Sequence, residues 1–354
     1  MLDLNLDHLE RMTDAVGLLQ HAKLSIPNPD YGYCTDDNAR ALLFTTLALE
    51  RRPGDSQLER LGAVYFSFLQ AAFQPNRGTF HNLLGYNGKW AHEAGPGDAC
   101  GRALMVLGAL VGRGPNGPQR LAAKGLFERA MPLVEGLTDL RPIAGAMLGL
   151  ASYLKRERSK EASALLEVTV LRVSDQIERN EITVWPWPEP FLTYENARIP
   201  QALIAAGRTI RDEAVIWQGL RALEWLLHLQ TEDGQFVPIG NRGWYHRGGA
   251  KARFDQQPIE AEAVVAACCE AYGHTADTRW LKGLATSFAW FTGHNVSGLS
   301  LYDPRTGGCR DGIGPDGLNQ NQGAESTLAW LCASLNFGDL APTQAPPQVV
   351  ELSR

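Results

Sequence analysis

The chain has 354 residues, 44% of them hydrophobic and 20% charged, with a formal net charge of -6. A chain of this length buries about three quarters of its unfolded surface, and its hydrophobic content excludes a disordered polymer. The acidic balance, with a pI near 5.8, argues against a nucleic-acid footprint, and no run of about 18 apolar residues offers a membrane span.

The N-terminus, Met1 to Arg11, is acidic and helix-patterned, and lacks the basic and apolar regions of a signal peptide. Cys34, Cys100, Cys268, Cys269, Cys309 and Cys332 show neither a CxxC pair nor metal-ligand spacing. In a chain this long they read as reduced thiols of a cytoplasmic protein. Apolar positions at helical spacing predict helices over 5–22, 36–51, 56–73, 98–113, 119–136, 141–155, 160–179, 195–207, 212–230, 257–272, 275–292 and 323–336. Ser56 to Glu59 has the pattern of a capping box, and Pro258 suits a first helical position. No alternating window is long enough for a sheet, so short strands are expected only in loops, as at Thr183 to Trp185 and Gly234 to Val237. Residues 339–354 read as a peripheral tail beyond a single domain spanning 1–338.

These helices alternate in character. One set is charged on one face, as at Leu58-Glu59-Arg60 and Leu126 to Arg129. The other is small and apolar nearly all round, as at Ala103 to Leu110 and Ile143 to Leu150, the mark of buried helices. Six outer–inner pairs predict an all-α (α/α)6 barrel of twelve helices. Traces of the repeat survive where Asp36-Asp37-Asn38-Ala39-Arg40, Asp98 to Arg102 and Tyr194 to Arg198 open inner helices.

Loop length selects the working face. Connections from inner to outer helices are short, whereas those from outer to inner are mostly long, and long loops in a compact domain are usually functional. The long loops gather at the N-terminal ends of the inner helices. They bring Tyr31, Tyr33, His81, Trp90, His92, Trp185, Trp187, Trp244, Tyr245 and His246 together with Asp36, Asp37, Asp98, Glu189, Glu195, Asp255, Glu260, Asp311, Asp316 and Glu325.

The blocks Gly32 to Leu42, Arg253 to Ala261 and Asn321 to Leu328 carry a resemblance. With the helix alternation over about residues 3–337, the chain resembles the six-hairpin glycosidase group. Within that group it is similar to a bacterial glycosidase-like domain found alone or fused to glycosyltransferases. The resemblance implies a carbohydrate substrate, such as an oligosaccharide, a site at the long-loop face, and a functional link to a glycosyltransferase.

Glycosidic cleavage uses two carboxyl groups, one protonated and one ionised. Asp37 and Glu195 hold equivalent places in the first and fourth repeats and are expected to face each other across the lumen. Candidates at helix ends, Asp37 and Asp255, are expected to be ionised by the helix N-termini. Asp37 is therefore assigned as base or nucleophile, with Asp255 second. Glu189, in the Trp185-Pro186-Trp187-Pro188-Glu189 stretch, is assigned as general acid, with Glu325 second. Arg40 and Arg198 would position these groups. Gln257, Asn319 and Asn321 would read hydroxyls. Tyr33, His81, Trp90, Asp98, Trp185, Trp187, Glu195, Trp244 and Glu260 complete the expected substrate-binding set.

No metal and no cofactor are expected: His81, His92 and His246 lack short ligand spacing, and Asp303, Asp311 and Asp316 do not match an EF-hand. The reaction expected is glycoside hydrolysis or phosphorolysis. The alternatives are a sugar epimerase or isomerase using histidines as acid and base, and a non-catalytic carbohydrate-binding domain associated with glycosyltransferases.

Overall fold

The computed structural model describes residues 4–91 and 97–340; His92 and the tail residues 341–354 lie outside the described residues. The helices are α1 (Asp7–Met12), α2 (Thr35–Arg51), α3 (Ser56–Ala72), α4 (Gly97–Arg113), α5 (Pro118–Ala130), α6 (Leu133–Gly136), α7 (Leu140–Tyr153), α8 (Lys160–Asn180), α9 (Arg198–Ile210), α10 (Glu213–Leu229), α11 (Pro258–Thr275), α12 (Arg279–Ala289) and α13 (Ala324–Leu340). Helices α2, α4, α7, α9, α11 and α13 contact one another in that order, and α13 returns to α2. They form the closed inner ring. Helices α3, α5, α8, α10 and α12 each pack on the inner helix next to them in sequence, and α1 packs on α13. The chain ends thus build the sixth hairpin, and the all-α (α/α)6 architecture read from the sequence is the one observed.

Residue size lets the inner helices approach closely. Every residue from Ala99 to Gly112 in α4 is buried. A Cβ added at Gly108 would lie 2.1 Å from the Gly149 carbonyl oxygen, so backbone meets backbone between α4 and α7. Helix starts follow local chemistry. Asp55 caps α3 by accepting from the backbone N–H groups of Gln57 and Leu58 at 3.1 and 3.2 Å, which moves the expected Ser56 box back by one residue. Ser159 and Asp212 cap α8 and α10 in the same way. Pro258 stands at the start of α11, as its fixed φ favours.

Four expectations need correction. The helix predicted over 5–22 is only α1; beyond it β1 (Leu19–Lys23) pairs antiparallel with β2 (Ile26–Cys34). Leu83–Leu84 joins the same sheet. The nine residues of β2 include Pro27 and Pro29 and show no alternation of burial, so no period-2 signal marked them. The helix predicted over 119–136 is split at Met131 and Pro132 into α5 and α6. The fourth inner helix begins at Arg198, because Glu195 has a left-handed φ of 49°. The helix α13 runs to Leu340, past the expected start of the tail.

Candidate active site

A cavity of about 640 Å³ opens at the N-terminal ends of α2, α11 and α13. Its size suits a small-molecule or sugar site. Gln20 and His21 from β1, Asn241 and Arg242, and the loop from Asp311 to Asn319 complete its walls. The acids Asp36, Asp37, Asp255, Asp311, Asp316 and Glu325 line it together with Arg40 and Arg242.

At its centre stands Arg40. Its Nη1 bonds Asp36 Oδ2 at 2.6 Å, Asp37 Oδ1 at 3.3 Å and Glu325 Oε2 at 2.9 Å. The i,i+3 and i,i+4 spacing on α2 places the two aspartates on the face that carries Arg40, and α13 delivers Glu325 from next door. Asp36 also accepts from Arg102 Nε of α4 at 2.8 Å. Burial pushes the Asp36 carboxyl up, but Arg40 and Arg102 outweigh it and hold the group below its ordinary range.

Asp37 goes the other way. Burial pushes its pKa up to about 7; Arg40 opposes that, while the negative charges of Asp36 and Glu325 add to it. The expectation that the helix N-terminus keeps Asp37 ionised is therefore corrected. Asp37 is only 3% exposed, and desolvation of the charge exceeds the helix-end stabilisation. The Cys34 thiol donates to Asp37 Oδ2 at 3.0 Å.

The oxygens of Asp36, Asp37 and Glu325 lie within 4.8 Å of one another, a spacing that could surround a cation. Arg40 already supplies positive charge to all three.

Of the other sequence candidates, Asp255, Gln257 and Asn319 line the same cavity. Asp255 accepts from Arg242 Nε at 3.0 Å. Asn321 lies outside the cavity lining, with its Oδ1 taken by the Leu24 backbone N–H at 2.9 Å.

A second group lies deeper, in the lumen, outside the cavity lining. Glu195 accepts two bonds from Arg102, at 2.6 and 2.5 Å, and one from Arg198 Nε at 2.7 Å. Although its burial opposes ionisation, these guanidiniums hold it far below the usual carboxylate range. Arg198 also bonds Glu262. Asp98 accepts from the Tyr194 hydroxyl at 2.6 Å, and burial raises its pKa. Glu260 accepts from Asn196 Nδ2 at 3.1 Å, while its buried Oε1 has no partner; burial pushes its pKa up to about 7.

Glu189, assigned as acid from the sequence, also lies outside the cavity lining. Arg141 Nη1 bonds its Oε2 at 2.5 Å. Trp185 and Trp187 are buried, packed on Trp225. Tyr33 is buried with its hydroxyl donating to Asp14 at 2.6 Å. Trp90 stacks on His81 at 5.1 Å, and Trp244 packs near Tyr194 at 6.3 Å. None of these rings lines the cavity.

Sequence reasoning gathered Asp311 at the long-loop face without giving it a role, and missed His21, Asn82, Arg102 and Arg141. Asp311 accepts the Gly323 N–H at 2.7 Å at the mouth of α13, and burial raises its pKa. Arg102 carried a signal in the repeat, since it occupies the place in α4 that Arg40 holds in α2.

No family model and no curated protein matches the chain. Solved structures do. A cellobiose 2-epimerase from Bacillus thermoamylovorans aligns with a TM-score of 0.72 at 10% identity, over 94% of this chain and 96% of that one. A sugar epimerase from a ruminal bacterium aligns at 0.71 and 12% identity, again over 94% and 96%. An alpha-1,6-mannanase of Salegentibacter, solved with alpha-1,6-mannotriose as an inactive variant in which two consecutive aspartates are replaced by asparagine, aligns at 0.59 and 9% identity over 94% and 96%. At these identities the likeness is one of fold, and the chain carries the (α/α)6-barrel fold.

Proposed function

We propose that this protein is a carbohydrate-active enzyme, a glycoside hydrolase that cleaves an oligosaccharide in the cavity at the N-terminal ends of α2, α11 and α13. One observation carries the reading. Asp36 and Asp37 are neighbours in the cavity wall whose environments drive their proton affinities apart, one held ionised by two guanidiniums and the other raised to about 7. Carboxyl pairs with separated pKa values mark acid and base assignments.

In this reading Asp37 is the general acid that protonates the leaving oxygen. Glu325 is the partner carboxyl and nucleophile: one of its oxygens is on Arg40, and the side chain is 38% exposed. Asp36 stays ionised and supports the positive charge that develops on the sugar ring. The close spacing of Asp37 and Glu325, within 4.8 Å between oxygens, is nearer the roughly 5–5.5 Å of retaining enzymes than the wider inverting separation. After glycosyl transfer to Glu325, Asp37, now without its proton, would take one from a water whose oxygen attacks the anomeric carbon, breaking the bond to Glu325 and releasing the sugar.

The epimerase alternative rested on His81, His246 and His92. Neither of the first two lines the cavity, and His81 is stacked on Trp90, while the third, His92, lies outside the described residues; His21 does line the cavity, so the preference for hydrolysis rests on the carboxyl cluster.

The test is digestion of a glycan panel with proton NMR of the first-formed anomer. Hydrolysis with net retention, lost in Glu325→Gln, is the expected result. Epimerised but uncleaved disaccharide, or no turnover on any glycan, would overturn the reading.

A further inference from the structure

We propose that Cys34 is a positioning residue that caps α2 with a thiol, a donor that stabilises the Asp37 carboxylate less than a hydroxyl in its place would. The proposal rests on the hydrolytic reading only for the use made of the Asp37 proton.

The two side chains are reciprocally bonded. Cys34 is the N-cap of α2, in extended backbone with φ -126° and ψ 151°. Its Sγ accepts the backbone N–H of Asp37 at 3.3 Å, and its S–H donates to Asp37 Oδ2 at 3.0 Å. Both residues line the cavity, and Cys34 is 4% exposed. Serine, threonine, aspartate and asparagine are the favoured caps. A thiol is a weak donor and a weak acceptor, so here it gives the helix start less than a hydroxyl would.

What the weak donor provides is a carboxyl whose charge is poorly stabilised. An O–H at the same place would favour the ionised form of Asp37 more strongly, because hydrogen bonds to a charged carboxylate lower its pKa. The other groups facing Asp37 do not replace that donor. Arg40, one turn on in α2, divides its Nη1 among three carboxylates and stands farthest from Asp37, at 3.3 Å. Asp36 on the same helix and Glu325 from α13 oppose ionisation. Arg102 from α4 is engaged by Asp36 and Glu195. The thiol stays protonated: burial, with the negative charges of Asp37 and Asp36 beside it, pushes its pKa well up. It therefore remains a donor wherever Asp37 titrates. A buried cysteine that merely fills space is the competing explanation, and serine separates the two.

The experiment is a carboxyl titration of the full chain labelled with 13C-carboxyl aspartate, the Asp37 signal being identified by its loss in Asp37→Asn. Cys34→Ser is expected to move the Asp37 midpoint down by about one pH unit, the scale of a single hydrogen bond to a carboxylate. Cys34→Ala, which removes the donor, is expected to move it up. Opposite signs support the proposal. An unchanged midpoint, or a shift in the same direction for both, overturns it. If Cys34→Ala does not fold, Cys34→Ser alone decides, since an unchanged or raised midpoint overturns the proposal. Turnover of aryl glycosides is followed in parallel. Opposite shifts in a protein that cleaves no glycoside would overturn the hydrolytic reading while leaving the Cys34–Asp37 coupling in place.

Discussion

Arg102 grips Glu195 through two parallel hydrogen bonds, Nη1 to Oε1 at 2.6 Å and Nη2 to Oε2 at 2.5 Å. Its Nε reaches Asp36 at 2.8 Å. One guanidinium of α4 thus ties the start of α2 to the turn that opens α9. The sequence placed the first and fourth repeats opposite each other and expected their acids to face a sugar. Instead the lumen between them is bridged by a cation. Bidentate arginine–carboxylate geometry is directional as well as strong, so the pair fixes how the inner helices meet below the cavity.

Breaking that pair should be costly. Arg102→Met leaves Glu195 with Arg198 alone and removes one cation from Asp36. The expected loss is about 3–5 kcal/mol of unfolding free energy, the usual result of leaving a buried charge unpaired. Adding Glu195→Gln to Arg102→Met should recover part of it. Urea unfolding of the two single variants and the double variant measures the coupling; strict additivity would show that the pair does not act as a unit.

The raised proton affinity of Asp37 predicts an alkaline limb near pH 7 in kcat/KM, because the acid form is lost as pH rises through its folded pKa. Asp37→Asn should lower activity on a natural glycan by about 10²–10⁴-fold. It should keep far more activity on an aryl glycoside whose leaving group needs no proton. Equal loss on both substrates would remove Asp37 as the acid.

Glu260 makes a prediction for stability. Its folded pKa is raised from 4.5 to about 7 by burial. The folded state therefore binds a proton that the unfolded state has released between those values, and stability falls as pH rises through that window. Glu260→Gln removes this dependence. Relative to the parent, the variant should gain on the order of 2 kcal/mol between pH 5 and pH 8. Thermal unfolding at the two pH values checks the sign; a parallel pH profile for both proteins would refute it.

Trp187 and Glu189 should behave as structural residues. Trp187 is fully buried, so Trp187→Ala should cost about 3–5 kcal/mol of stability. Glu189→Gln should weaken the Arg141 contact while leaving the pH profile of kcat/KM in place. A selective loss of the alkaline limb in Glu189→Gln would restore it as the proton donor.

Close packing of α4 on α7 gives a further test. A methyl at Gly149 would lie 2.3 Å from the Leu104 carbonyl oxygen, with no flexible side chain to yield. Gly149→Ala should therefore destabilise the protein, although alanine favours helix by nearly 1 kcal/mol in isolation. A raised melting temperature would show that the ring can expand at this contact.

Taken by itself, the sequence determined the alternation of buried and half-buried helices, their pairing into hairpins and the face that carries the long loops. Those features follow from periodic burial and loop length, which are written locally. Asp37, Asp255, Glu325, Gln257 and Asn319 were legible as cavity residues because they stand at or near the N-terminal ends of inner helices. The tertiary structure decided the rest. The hairpin of β1 and β2 was hidden because an exposed strand with two prolines has no alternation. Trp185 and Trp187 were offered as platforms because tryptophan suits both sugar stacking and core packing; only the position of Trp225 separates the two. Glu189 was drawn away by Arg141, 48 residues distant in the chain. The proton affinity of Asp37 is raised, against what its helix position suggested, because ionisation is set by desolvation and by charges brought in through space, and neither is written in the residues beside it.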